Sequence, residues 1–210
     1  MSQKRLRRRR PARRAAWRDP KPRILCVCEG LKTEPQYLKA FTRHCKNPRV
    51  SVEIDAGQGV PRTLVERAKQ RKINAEEQAK RQRDDNLAFD QVWCVCDVDE
   101  HPKLHEARMM ARDNGIELAI SNPCFELWLI LHFRESPGPQ TRDQMTDILK
   151  KHLPDYDKSV DFAQVRNGYE EAVARASRLD KMAEEDGEMG RNPTTGAWRL
   201  TESIRGGTIN

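Results

Sequence analysis

No stretch of this chain is long and apolar enough to span a bilayer. The longest apolar run, "LWLILHF", falls far short of the roughly 20 residues a membrane helix needs. No apolar segment follows the basic start before Pro20, so no secretory signal is expected. Four consecutive arginines with a single serine also fit an organelle transit peptide poorly. These absences point to a cytoplasmic protein. Aromatic residues are scarce, at 6%, while charged residues reach 34%, so the surface must be very polar. Internal repeats are absent. Zinc-knuckle spacing is absent too: the six cysteines include two C-x-C pairs, Cys26/Cys28 and Cys94/Cys96, whereas knuckles place about two to four residues between ligands. The cysteines therefore read as small buried hydrophobes in a reducing compartment.

What the chain does have is an uneven charge. Its 210 residues carry a formal net charge of +7, yet residues 1–23 alone hold eleven Lys/Arg against one acid. The remaining body is slightly acidic. Residues 1–22, with Pro11, Pro20 and Pro22 and no hydrophobic period, read as a disordered basic arm. Within it Arg7, Arg8, Arg9, Arg10, Arg13 and Arg14 are candidate nucleic-acid contacts.

From residue 23 to 135 the pattern alternates. Strands are expected over 23–28, over "VSVEIDAG", over 91–96 and over "IELAI". Helices are expected between them: from Thr33, as N-cap with Gln36 completing a capping box, to about His44; from Pro61 to about Arg83; and from Pro102 to Asn114–Gly115. The apolar helix "FELWLILHF" follows, with Asn122 as cap and Pro123 at its first position. Such an order specifies an α/β fold, a parallel sheet of about four strands flanked by helices. Residues 136–210 read as a helical extension packed on that core, with helices over 142–152 and 167–185 and a last one after "NPTTG".

Two strands end in acids. Glu29 follows the first, and Asp97 and Asp99 form D-x-D after the third. In parallel sheets the functional crevice lies at the carboxyl ends of the strands, so all three belong to one edge. Carboxylates crowded there repel unless a cation or a proton offsets them, so the cluster is either a site for a hard cation, Mg²⁺ or Mn²⁺, or an acid with a raised pKa. Glu34, one turn into the next helix, either faces the same site or complements the helix dipole. Ser121 and Asn122, at the end of the fourth strand, either contact a phosphate or cap the next helix.

"ILCVCEGLKTEPQYL", "VWCVCDVDE", "SNPCFELWLILHF" and "NPTTGAWRL" together resemble the RloB-like family. The "VCEGLKTE" and "VCDVDEH" pieces look like the Toprim domain, a Rossmann-like metal-binding core. The resemblance implies Glu29 as ligand or general acid/base and Asp97 and Asp99 as paired ligands. Glu34 and Glu126 would be further acids, although Glu126 can equally be a polar residue that needs a buried partner. Related nucleases tend to use a basic residue; Lys32, Arg191 and Arg199 are the candidates here, as contacts to substrate. The resemblance further implies a Mg²⁺-dependent nuclease acting on DNA or on RNA such as tRNA, in an anti-phage, abortive-infection or restriction-linked system with a partner ATPase. The alternative is a non-catalytic subunit of such a system that binds metal and nucleic acid.

Overall fold

In a computed structural model the described residues are 22–54, 61–98 and 104–206. The basic arm with Arg7, Arg8, Arg9, Arg10, Arg13 and Arg14, and Asp99 of the D-x-D pair, lie outside them. The strands are β1 (Ile24–Cys28), β2 (Val50–Ile54), β3 (Gln91–Asp97), β4 (Glu117–Asn122) and β5 (Thr194–Thr195). They form one sheet in the order β2-β1-β3-β4-β5. The first four are mutually parallel, and β5 runs antiparallel to β4.

The helices are α1 (Thr33–His44), α2 (Pro61–Gln82), α3 (Leu104–Asp113), α4 (Glu126–Leu131), α5 (Arg142–Lys150), α6 (Phe162–Val165), α7 (Tyr169–Glu185) and α8 (Ala197–Arg205). Strand alternation assigns the two faces of the sheet. Ile24, Cys26, Cys28, Trp93 and Val95 pack with α1 and with α4 to α8. Leu25, Val27, Cys94 and Cys96 pack on the opposite face with α2 and α3. The two C-x-C pairs thus belong to opposite cores, so their four sulfurs do not converge.

The carboxyl-terminal region does more than cover the sheet. Its short "TT" strand extends the sheet, with Ser121 and Asn122 in register with Thr195 and Thr194. Met145, Leu149, Leu153, Tyr156 and Val160 are buried in the larger core. A buried polar contact in that core fixes α1 against the end of α4, and a second one orients its histidine. The Nδ1–H of His132 donates to the Trp128 carbonyl at 2.9 Å, which leaves Nε2 to accept from the Tyr37 hydroxyl at 3.1 Å. Burial lowers the His132 pKa to about 4, so the ring is neutral at pH 7.

Local expectations change in two places. Thr33 is not the cap of α1: Lys32 holds that position, and the Thr33 hydroxyl donates to the Lys158 carbonyl at 2.9 Å. Asn122 does not cap α4 either. Its side-chain amide donates to the Gly190 carbonyl at 2.8 Å, and the helix starts later, after Phe125.

Candidate active site

The chain turns from β1 towards β2 on one side and towards β3 and β4 on the other, so β1 and β3 flank the point where strand order reverses. The β1–β3 register pairs Cys28 with Val95, and the ladder continues with the Glu29 amide donating to the Val95 carbonyl at 2.9 Å. Asp97, two residues further, stands at the carboxyl edge of the sheet, in the crevice that such folds use.

A cavity of about 360 Å³ opens there, bounded by Gly30, Lys32, Glu34, Asp97, Glu126 and Lys158 among others. Three elements each contribute one acid to its lining: Asp97 ends β3, Glu34 is in the first turn of α1, and Glu126 opens α4. Gly30 makes room for one of them, because a Cβ on it would overlap the Glu34 carboxylate. Glu29 does not line this cavity. Along β1 it continues the face of Leu25 and Val27, while Asp97 continues the face of Trp93 and Val95. Its charge still reaches Asp97 and also the buried Cys96.

Among the described residues two cations meet these acids, and both come from the carboxyl-terminal region. Arg142, the first residue of α5, donates from Nη2 to Asp97 Oδ2 at 3.0 Å. Lys158 donates from Nζ to Glu126 Oε1 at 2.5 Å, and the Tyr156 hydroxyl donates to the same oxygen at 2.8 Å. Lys158 has a left-handed backbone, with φ +55°, unusual for a residue with a side chain. Its carbonyl is held by Thr33, so the strained turn is anchored to α1.

The acids respond differently to this setting. Burial raises the Asp97 pKa well above the usual range, the charge of Glu34 raises it further, and the nearby Arg142 only partly offsets this. Glu34 is raised as well, by burial and by the charge of Glu126. Burial acts on Glu126 too, but the hydrogen bonds from Lys158, Cys124 and Tyr156 and the charge of Lys158 outweigh it, and its carboxyl lies below the usual range. Asp97 and Glu34 are therefore short of positive charge, and Glu126 is not.

The remaining sequence candidates are used within the protein. Ser121 Oγ lies 2.8 Å from Thr195 Oγ1 in the β4–β5 pairing. Arg191 pairs with Asp186 at 2.6 Å, and Arg199 with Asp180 at 3.5 Å. None of these, nor Asn122, lines the acidic cavity, whereas Lys32 does. Sequence reading missed Arg142 and Lys158, since nothing in "TRDQM" or "YDKSV" separates them from surface charges. Hard carboxylate oxygens short of positive charge are the donor chemistry a divalent cation takes. Among the described residues no three His, Cys, Asp or Glu side chains are drawn together as a ligand set.

No helix among the described residues is long and apolar enough to cross a membrane. No curated protein and no solved structure gave a significant match. The family model described as "RloB-like protein" matches residues 24–204, which take in the whole sheet, the acidic cavity and both of its cations, and the chain belongs to the RloB-like family.

Proposed function

We propose that the chain is a divalent-metal-dependent hydrolase of nucleic-acid phosphodiester bonds, with the cavity at the β1–β3 edge as its active site. One observation carries the reading: Asp97 and Glu34 share a recessed cavity in which burial raises both carboxyls, the charge of Glu34 raises Asp97 further and that of Glu126 raises Glu34, beside the basic side chains Arg142 and Lys158. An acidic centre with basic neighbours suits a bound cation and a phosphate together. Asp97 and Asp99 would hold Mg²⁺ or Mn²⁺, with Glu34 beside them. Bound there, the ion supplies Lewis acidity and lowers the pKa of a coordinated water.

The rest of the chemistry falls to the chain itself. Water oxygen bonds to phosphorus, the bridging P–O bond breaks, and the leaving oxygen takes up a proton. Glu34, a carboxyl with a raised pKa, accepts the proton of the attacking water. The Lys158 side chain is 57% exposed, so its ammonium can move from Glu126 to a non-bridging phosphate oxygen. Glu126 thus positions Lys158, and Glu29 adds charge from the other face of the sheet. We assign the basic arm to nucleic-acid contact, and an anti-phage or restriction-linked setting with a partner ATPase on family resemblance alone. A second reading, a non-catalytic metal- and nucleic-acid-binding subunit, is favoured by the ion pairs that Arg142 and Lys158 already make.

The test pairs cleavage with metal binding. Mixed DNA and RNA substrates are incubated with Mg²⁺, Mn²⁺ or EDTA, using the parent chain, Asp97→Asn, Asp99→Asn and Glu34→Gln. Metal that binds the folded site alone raises the melting temperature by mass action. The expected result is metal-dependent cleavage, lost in all three variants, with the thermal shift abolished in both Asp variants. A parent whose melting ignores both metals sinks the metal site. A metal-dependent shift and nucleic-acid binding without cleavage favours the second reading.

A further inference from the structure

Beside the acidic cavity lies a second, shallower depression of about 570 Å³, lined by Leu31, Lys32, Gln36, Lys39, Asp157 and Ser159 among others. Leu31 and Lys32 line both cavities, so the two adjoin across one shared wall. Lys32, Gln36 and Lys39 are spaced i, i+4, i+7 and share one face of α1. A helical rise of ~1.5 Å per residue sets the two lysines about 10 Å apart along it. Tyr37, Leu38 and Phe41 take the buried face of the same helix. Among the described residues neither lysine is in an ion pair. Lys39 also lies close enough to the end of β1 for its charge to act on the buried Cys28 thiol.

The opposite wall is the 157–159 loop. Ser159 Oγ donates to Gln36 Oε1 at 2.9 Å, and the Val160 amide donates to the same oxygen at 3.3 Å. These hydrogen bonds tie the loop to α1. The acids it leads to are recessed, with Glu34 7% and the Asp97 side chain 16% exposed. At the junction, Leu31 stands 69% exposed, a large aliphatic side chain held in solvent.

We propose that this groove is the track of a single-stranded nucleic acid, with Lys32 and Lys39 on its phosphates and Leu31 against the base or sugar next to the acidic cavity. The proposal rests on the hydrolase reading for its direction, since it delivers a strand to Asp97 and Glu34. A lone strand can splay its bases while a positively charged groove tracks its backbone; here an exposed aliphatic side chain, Leu31, takes the apolar contact. A duplex is stiff and would meet only the rim above recessed acids. Among the described residues that line the groove, Asp157 is the acid, and it opposes the phosphates.

Fluorescence anisotropy tests this on the full chain, in EDTA so that nothing is cleaved. The probes are 12-nucleotide single strands of DNA and RNA of the same sequence and the matching DNA duplex. Charge reversal by Lys32→Glu and Lys39→Glu is expected to weaken single-strand binding roughly fivefold or more each and to cut the salt slope by about 0.7 for each phosphate no longer neutralised. Leu31→Ser is expected to weaken it with the slope unchanged, and Asp157→Asn to tighten it. Duplex binding should respond less. Lys32 and Lys39 are exposed, so unchanged melting curves will show that the variants fold. Unaltered affinity and slope for both single strands in the Lys32→Glu/Lys39→Glu double variant overturns the groove, as does an equal loss on the duplex. The hydrolase reading fails separately: if the lysine variants lose binding but the parent never cleaves with metal, the groove stands and that reading falls. If Asp97→Asn abolishes cleavage while the double lysine variant cleaves like the parent, the reverse holds.

Discussion

Two buried polar groups of this protein lie close together on either side of α4, and they are resolved in opposite ways. At its carboxyl end, His132 has both ring nitrogens bonded, to Trp128 and Tyr37, and burial keeps it neutral. At its amino end, Glu126 shares a cavity with Glu34 and Asp97, and the three carboxylates meet two cations, Arg142 and Lys158. The first arrangement saturates its groups without charge. The second leaves Asp97 and Glu34 with raised pKa values although Arg142 bonds one of them directly. A core needs only satisfaction; at the edge, burial and then neighbouring carboxylates hold Asp97 and Glu34 above their usual range.

The largest expected effect strikes the neutral side. The folded pKa of His132 is about 4 against 6.5 in the reference state. A depressed histidine contributes stability that is present above 6.5 and lost as pH falls towards the folded value. At about 1.4 kcal/mol per pH unit this amounts to roughly 3 kcal/mol between pH 6.5 and pH 4. Urea midpoints across that range should fall steeply in the parent and more gently in His132→Gln. Parallel profiles would show that His132 is not the group that titrates.

Next in size is Lys158→Met, which strands the buried Glu126 carboxylate. Breaking a buried pair from one side costs roughly 3–5 kcal/mol. Because Lys158 is itself more than half exposed, water takes part of its place, and about 2–3 kcal/mol at pH 7 is expected. The Glu126 pKa is depressed in the parent, so the stability it contributes is present above 4.5 and lost as pH falls through its lowered value. The variant's deficit should therefore shrink at acid pH, where its own Glu126 takes a proton. A deficit independent of pH would mean lost packing and not lost charge.

Asp97→Asn should do the opposite. A carboxyl with a raised pKa favours folding most when protonated, below its unfolded value near 3.8, and that contribution is lost as pH rises through the raised value. Asn keeps the shape and removes the charge, so at pH 7 the variant should be about 1–2 kcal/mol more stable than the parent, and equal to it at low pH. Thermal melts at pH 7 decide the sign. A destabilised variant would show that the bond to Arg142 outweighs the repulsion, which would make Asp97 structural.

Much of this contrast could be read from sequence, and the rest could not for definite reasons. The alternation of strands and helices predicted the α/β sheet, and acids at the ends of two strands marked the edge where the cavity opens. Glu34 and Glu126 stood as open alternatives, and folding brings both into the cavity. Glu29 stands at that edge as well, but it continues the face of Val27, and only the pairing of Cys28 with Val95 sets that face opposite Asp97, which strand parity alone could not tell. Arg142 and Lys158 arrive from a region some 45 and 32 residues beyond the acids they meet, on segments that look like solvated surface. Thr33 carried a valid capping pattern, yet α1 already begins at Thr33, with Lys32 at the cap, and its hydroxyl is turned to donate to the Lys158 carbonyl. β5 has two residues, too few for any period to register.

The smallest expected change in stability is the sharpest probe of how Glu34 and Asp97 are coupled. Gly30 has an ordinary backbone conformation, so Gly30→Ala adds no left-handed strain, and a stiffer unfolded chain favours the variant by about 0.4–1 kcal/mol. The new Cβ collides with the Glu34 carboxylate, the far end of a flexible side chain, so the side chain swings away and the fold persists. Moving Glu34 withdraws a charge that raises the Asp97 pKa, second only to burial. The Asp97 carboxyl should then titrate lower in Gly30→Ala than in the parent, which carboxyl-carbon NMR resolves without reference to any activity. Cleavage should fall as far as in Glu34→Gln, because the proton acceptor has left the cavity. An unshifted Asp97 with the fold intact would mean that the two acids do not sense each other, and the contrast between a saturated core and a charge-starved edge would lose its physical basis.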